Sequence, residues 1–372
     1  MKSYSTNNIR NIVLLGSSRS GKTTLAETML YEGKVIDRRG SVEAKTTVSD
    51  NTEVEQIYQR SIYSTPLYTE FNGYKLNFVD TPGSDDFIGG VISAFKVCDA
   101  GVLLVNAQQG VEVGTQIFAR YADEHKKPMV IAVNQLDSDK ANWESALDSM
   151  KQHFGSKPVV VQFPLGVGSD FNGFVDILKM KAYTFKDENG TREEIEIPAQ
   201  FVDEAAEMRA SLMEMAAEAD EELMERFFDA GELSEEDMYK GLKIGFLSGS
   251  IYPVFTLSGK KDIGVKRLME FIIDVAPSPA EYPAVTTEGV EVKCDSEGPV
   301  SLFFYRTAVE QHLGDVSYFK VMSGKLTEGV DLVNPDTGAK ERISAIYAVA
   351  GKKKEKVTEM FAGDLGCTVK LK

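Results

Sequence analysis

The chain has 372 residues, with 57 acidic against 41 basic side chains and a formal net charge of −16. That length is too great for one hydrophobic core and predicts two or three domains. No stretch approaches the roughly 20 apolar residues of a membrane span, and the start Met-Lys-Ser-Tyr-Ser-Thr-Asn-Asn lacks a signal peptide's apolar core, so a cytoplasmic location and no membrane partner are expected.

The first predicted strand is the apolar run Ile12-Val13-Leu14-Leu15, and Gly-Ser-Ser-Arg-Ser-Gly-Lys-Thr-Thr follows it directly over residues 16–24. A G-x-x-x-x-G-K-T loop between a strand and a helix is a phosphate cradle. Gly16 and Gly21 let the loop curl until successive N–H groups, with Ser17, Arg19 and Ser20 between them, face phosphate oxygens. Lys22 reaches the outer phosphates and Thr23 offers a hydroxyl to Mg²⁺. The helix opened by Thr24 adds the positive end of its dipole.

Asp80-Thr81-Pro82-Gly83 ends the predicted strand Tyr74–Val79. This places a carboxylate where it holds Mg²⁺ through water and the Gly83 N–H where it meets a terminal phosphate. Asn134-Gln135-Leu136-Asp137 ends the strand Met129–Val133. Asp137 is suited to accept two hydrogen bonds from the ring and amino N–H groups of guanine, whereas adenine would present a lone pair. A buried carboxylate left unpaired discriminates by up to ~10⁴. Ser258-Gly259-Lys260 ends the strand Pro253–Leu257 and covers the base with a backbone N–H. These elements at strand ends, in one order, point to GTP and GDP as ligands.

Strands alternate with helices from Asn11 to about residue 155 and again from Tyr252 to Val275, the pattern of a parallel sheet covered on both faces. Between them lies an acidic, largely helical insert. Much of the excess acid falls between Glu188 and Glu236, and Phe201–Phe228 carries apolar residues at helical spacing, which reads first as a solvated outer face. After Pro283, short apolar runs separated by Gly314, Ser323-Gly324, Gly329, Asn334-Pro335-Asp336-Thr337-Gly338 and Gly363 predict a β-barrel. Cys98, Cys294 and Cys367, with His125, His153 and His312, make no metal-binding cluster and read as structural residues of a reducing compartment. The chain ends on an apparent strand, Cys367–Leu371, with no closing partner behind it. An uncovered edge of this kind suggests a fragment of a longer protein.

From end to end the chain resembles elongation factor G, the translocating GTPase of the ribosome. Beyond the nucleotide motifs, the likeness rests on Gly166 to Tyr183, Ala276-Pro277-Ser278-Pro279, Gly298-Pro299, Ser323-Gly324-Lys325-Leu326 and Ala362-Gly363-Asp364-Leu365-Gly366. The resemblance implies an α/β fold, a P-loop NTPase with a doubly wound, mostly parallel sheet and an α+β insert, followed by a translation-factor β-barrel. It implies a GTP-binding domain over residues 1–282, its insert at about 157–252, and a second domain over 283–372 that is incomplete at its C-terminus. It also implies a monomer that meets rRNA and stalk proteins of the ribosome through the full-length protein, with no DNA partner; the acidic insert is the stalk contact and Lys352-Lys353-Lys354 restores some positive charge.

Several positions depart from the family pattern. Ser84 stands where the family has the histidine that places the attacking water, and it is too short to reach that water. The family's switch threonine, a Mg²⁺ ligand, falls at Ser61, nineteen positions before Asp80, so the hydroxyl is kept. The preceding Tyr58, Gln59 and Arg60 replace Arg-Gly-Ile, which removes an apolar gate residue, and Ser18 removes its partner. Arg19 replaces an aspartate that helps hold a monovalent cation. Gln135 replaces a lysine whose alkyl chain packs over the base. The phosphate-holding Lys22 and Thr23 and the base-reading Asn134 and Asp137 are kept, while the gate, the histidine position and the cation site have changed together, so the catalytic site, Ser84 with Gly83 and Lys22, is impaired at Ser84. The expected activity is therefore GTP binding with slow hydrolysis in the translocation step; a ribosome-protection factor or a non-catalytic GTP-binding module on the ribosome is the alternative.

Overall fold

The computed structural model describes residues 3–371 except 188, 287, 311 and 312. His312, the acidic boundary Glu188 and the terminal Lys372 lie outside the described residues. In chain order the first unit contains β1 (Ile9–Leu15), α1 (Lys22–Glu32), α2 (Glu53–Tyr58), β2 (Thr65–Phe71), β3 (Tyr74–Asp80), α3 (Ile88–Val97), β4 (Ala100–Asn106), α4 (Val113–Glu124), β5 (Met129–Asn134), α5 (Trp143–Phe154) and β6 (Pro158–Val160). Then come β7 (Gln162–Leu165), β8 (Gly173–Asp176), β9 (Lys181–Phe185), β10 (Arg192–Ile195), α6 (Val202–Glu218), α7 (Glu221–Ala230), α8 (Glu235–Ser248), β11 (Tyr252–Thr256) and α9 (Val265–Val275).

Seven strands form one sheet in the order β2-β3-β1-β4-β5-β11-β6, parallel throughout except for the β2–β3 hairpin. Every residue of β1 and β5 is buried, as a parallel sheet covered on both faces requires. The hairpin closes at Asn72 and Gly73, both at positive φ, the conformation a two-residue turn between twisted strands demands. Because β1, β3, β4, β5 and β11 run the same way, Leu15, Asp80, Asn106, Asn134 and Thr256 all lie at one edge of the sheet. Ligands of open α/β sheets bind outside that carboxyl edge.

The insert is α+β, as the resemblance implies, and less helical than its periodicity suggests. It opens with a four-stranded antiparallel sheet, β10-β9-β8-β7, before α6, α7 and α8. These strands are four or five residues long, too short to stand out against the strong helical periodicity that follows.

The C-terminal part contains β12 (Ala284–Val285), β13 (Glu291–Val292), β14 (Ser301–Glu310), β15 (Gly314–Ser323), β16 (Lys325–Thr327), β17 (Val330–Val333), β18 (Lys340–Ile343), β19 (Ile346–Ala350), β20 (Lys353–Val357), β21 (Glu359–Phe361) and β22 (Leu365–Val369). Its main antiparallel sheet has the order β14-β15-β22-β19-β20. The expectation that the last strand is an uncovered edge is therefore wrong. β22 pairs with β15 from Val316↔Val369 to Lys320↔Leu365 and meets β19 at Tyr347↔Cys367. Its partners lie far upstream, so nothing in the terminal residues reveals them.

A buried polar network joins the two sheets. Lys75 Nζ contacts Asp364 Oδ1 and Oδ2 at 2.7 and 2.8 Å, and Asn77 Nδ2 donates to Asp364 Oδ1 at 3.0 Å. Asn11 Nδ2 donates to Asp99 Oδ2, and Lys320 Nζ pairs with Asp99 Oδ1 at 2.7 Å. Among the described residues no helix is long and apolar enough to cross a membrane, and no group of three His, Cys, Asp or Glu side chains is placed to hold a metal.

Candidate functional site

The loop after β1 wraps tightly because side chains are missing where it needs space. A Cβ on Gly16, at φ +140°, would stand 2.5 Å from the Leu104 carbonyl, and one on Gly21, at φ +94°, 2.3 Å from Asn134 Nδ2. Lys22 folds back inside the loop and donates to the Gly16 and Ser17 carbonyls at 2.7 and 3.0 Å. Burial pushes its ammonium down to about 8, against the opposing pull of Asp80. Ser17 bonds Thr115 on α4 at 3.0 Å, and Ser20 Oγ is buried without a partner among the described residues. Arg19 has φ +66° and an exposed side chain; among the described residues it is tied in through its carbonyl, which accepts from Gln135 Nε2 at 2.7 Å.

Thr23, Ser61 and Asp80 come together although 38 residues separate the two hydroxyls. Thr23 Oγ1 lies 3.2 Å from Ser61 Oγ and donates to Asp80 Oδ2 at 2.8 Å. Two groups that sequence reasoning missed complete the cluster. Ser49 donates to Asp80 Oδ2 at 2.6 Å, and Asp50, next in the chain, lies buried beside it. Burial raises Asp80, and burial followed by the charge of Asp80 pushes Asp50 up to about 7. Asp50 Oδ1 and Asp80 Oδ1 are both buried with no hydrogen-bond partner among the described residues. Two orphaned carboxylate oxygens beside two hydroxyls are a donor set that fits a hard divalent cation such as Mg²⁺.

The loop after β3 presses on the phosphate loop. A Cβ on Gly83 would lie 2.5 Å from the Ser18 nitrogen and 2.6 Å from Lys22 Nζ. Ser84 turns into its own chain, donating to Asp86 Oδ2 at 3.1 Å. Arg60, at the lost gate position, is exposed and sets its guanidinium 5.5 Å from the centroid of the Phe87 ring.

Asn134 ties two loops of the site together. Its Nδ2 donates to the Ser20 carbonyl at 2.9 Å and its Oδ1 accepts from the Gly259 N–H at 3.0 Å, so it locks the phosphate loop to the loop after β11. Gln135 likewise bridges loops, bonding the Arg19 carbonyl and accepting from Asn106 Nδ2 at 2.8 Å. Asp137 is half-buried and lines a cleft of about 1040 Å³ with Gly21, Thr24, Gln135, Gly259 and Lys260. Ser258 is buried, its hydroxyl accepting from the Lys261 N–H at 3.0 Å. The opposite wall is the segment from Asp37 to Glu43, fastened by Glu27, whose carboxylate accepts from the Gly40 and Val48 N–H groups at 2.8 and 2.5 Å. Burial raises Glu27. No motif marks Glu27, Ser49 or Asp50, because a carboxylate that organises a long loop has no fixed spacing from the residues it serves.

Residues 7–278 match the elongation factor Tu GTP binding domain, and residues 299–372 match elongation factor G domain 2. An "Elongation factor G-like protein" of Thermotoga maritima is 34% identical over 370 residues, which are 98% of this chain and 53% of that protein. "Elongation factor G" of Ureaplasma urealyticum is 31% identical over 369 residues, covering 98% of this chain and 54% of its own length. A crystal structure of a Thermus thermophilus protein superposes with a TM-score of 0.88 at 29% identity, covering 98% of this chain and 52% of that one. The chain thus spans about half the length of the relatives it matches.

Proposed function

The chain belongs to the elongation factor G family, whose GTP-binding domain binds guanine nucleotide, and on that premise we propose that it acts on the ribosome in the translocation step, holding GTP or GDP with Mg²⁺ and hydrolysing GTP slowly. In this reading the N–H groups from Gly16 to Thr24 cradle the phosphates, and Lys22 turns from its loop carbonyls to the outer oxygens. Thr23, Ser61 and Asp80, with Asp50 close by, hold Mg²⁺, which when bound neutralises charge on the phosphates. Asp137 accepts from the guanine edge, while Ser258, Gly259 and Lys260 cover the base. Asn134 and Gln135 serve by fixing the loops that do this. Arg19 stays passive at the loop tip. The nucleotide domain is assigned to residues 1–282 with its insert at about 157–252, and the barrel to 283–372. The protein works in the cytoplasm as a monomer, with rRNA and stalk proteins as partners.

The slow-hydrolysis reading is carried by Ser84, whose hydroxyl bonds Asp86 within its own turn, and is supported by Arg60, which lies over the Phe87 ring where the family has an apolar residue. Phosphoryl transfer depends on a water held in line, and loss of the positioning group costs ~10²–10⁴ in rate. The binding half of the proposal is tested by displacing a fluorescent guanine nucleotide. GTP and GDP should compete, and ATP at a hundredfold excess should not; equal displacement by ATP would remove the guanine assignment.

A further inference from the structure

We propose that Arg39 is a strap across the nucleotide cleft that sets how fast bound nucleotide leaves, a role that rests on the nucleotide reading above. Arg39 belongs to the segment between α1 and α2, and Asp37, Arg38, Arg39, Gly40 and Ser41 line one side of the cleft. Its Nη1 donates to the Lys260 carbonyl at 2.9 Å and, more weakly, to the Gly259 carbonyl at 3.4 Å. Those carbonyls belong to the loop on the base side. The bond therefore joins two walls of the cleft that the chain itself does not connect.

Both ends of this bridge are anchored. On one side the guanidinium lies 5.6 Å from the centroid of the Tyr31 ring on α1, and the next residue, Gly40, gives its N–H to Glu27 at 2.8 Å. On the other, the Gly259 N–H is held by Asn134 and the Gly259 carbonyl also accepts from Thr28 Oγ1 at 2.7 Å. A charge-assisted bond between two fixed loops, solvent-exposed at Lys260 and half-buried at Gly259, costs little entropy to form and must break for the walls to part. Arginine keeps its charge at any working pH, so the strap acts as a mechanical fastening. Its bonds to the Gly259 and Lys260 carbonyls lie on the base side, so the strap restrains GDP and GTP alike and leaves the hydrolytic step untouched.

The test is release of fluorescent GDP and GTP from the whole chain, chased with excess unlabelled nucleotide, for wild type, Arg39→Ala and Arg39→Lys. Arg39→Ala is expected to release both nucleotides about tenfold faster, the worth of one charged hydrogen bond. Arg39→Lys, which retains a cation with a single donor head, falls between. Association, single-turnover hydrolysis of bound GTP and the nucleotide-free melting temperature stay at wild-type values. Release within twofold of wild type for Arg39→Ala overturns the strap. So does faster release accompanied by a matching loss of nucleotide-free stability. Wild-type protein that takes up no guanine nucleotide overturns the site assignment itself, a different and separately visible failure.

Discussion

Removing the carboxylate of Asp364 should uncouple the barrel from the nucleotide domain. The Lys75 side chain is fully buried, its ammonium lying 2.7 Å from Asp364 Oδ1 and 2.8 Å from Oδ2; the same carboxylate accepts from Asn77 Nδ2 and from the Leu365 N–H. Asp364→Ala strands that charge and leaves one amide and one backbone N–H short of an acceptor. Breaking a buried pair from one side costs about 3–5 kcal/mol, whereas replacing both partners with apolar residues of similar volume is often close to neutral. Urea denaturation should therefore show a loss in that range for Asp364→Ala, with much of it recovered in Lys75→Met/Asp364→Leu. Lys75 and Asn77 share β3 with Asp80, so the single variant should also weaken nucleotide binding, although Asp364 is far along the sequence from the cleft residues. A loss below about 1 kcal/mol, or a double variant as unstable as the single one, would refute the account of this network.

Gly83→Ala would place a methyl group 2.5 Å from the Ser18 nitrogen and 2.6 Å from Lys22 Nζ, so the loop after β3 must back away from the phosphate loop. GTP affinity should fall about tenfold or more while GDP affinity changes little, a contrast read by calorimetry with the two nucleotides. Asp262 is buried against Glu32, and burial together with that neighbour pushes its carboxyl up to about 8. Unfolded, it ionises near 4. Unfolding thus releases a proton between about pH 4 and 8, so stability falls as pH rises through that window and levels off above it. Asp262→Asn keeps the shape and tolerates the positive φ of 57°. Its melting temperature should exceed wild type by at least about 2 °C at pH 8 and converge toward pH 4; parallel curves would contradict the buried pair.

What the sequence made legible was local. The phosphate loop, the residues after β3 and β5 and the Ser258-Gly259-Lys260 turn are short segments whose glycines, hydroxyls and acids are fixed by chemistry within a few positions. Ser61 was placed by its distance from Asp80 and lies beside Thr23. What stayed hidden depends on contacts between distant segments. Asp50 and Ser49 lie in a long stretch without periodicity, and their approach to Asp80 is set by how that stretch folds. Asn134 is held by two backbone groups at 114 and 125 residues' separation, contacts that its place in Asn134-Gln135-Leu136-Asp137 does not reveal. Gln135 looked like a plain loss of apolar cover and turned out to bridge Arg19 and Asn106. The interior place of β22 was missed for the same reason, and the sheet of the insert came only from the resemblance, not from the periodicity.

If Ser84 cannot place the attacking water, GTP binds well and is hydrolysed slowly, and multiple-turnover phosphate release reads this out. The full-length protein is assayed on ribosomes beside a relative that carries histidine at this position. Hydrolysis slower by ~10²–10⁴ at saturating GTP, with GTP affinity intact, is the predicted result. Comparable rates, or a fast reaction abolished by Ser84→Ala, would contradict it.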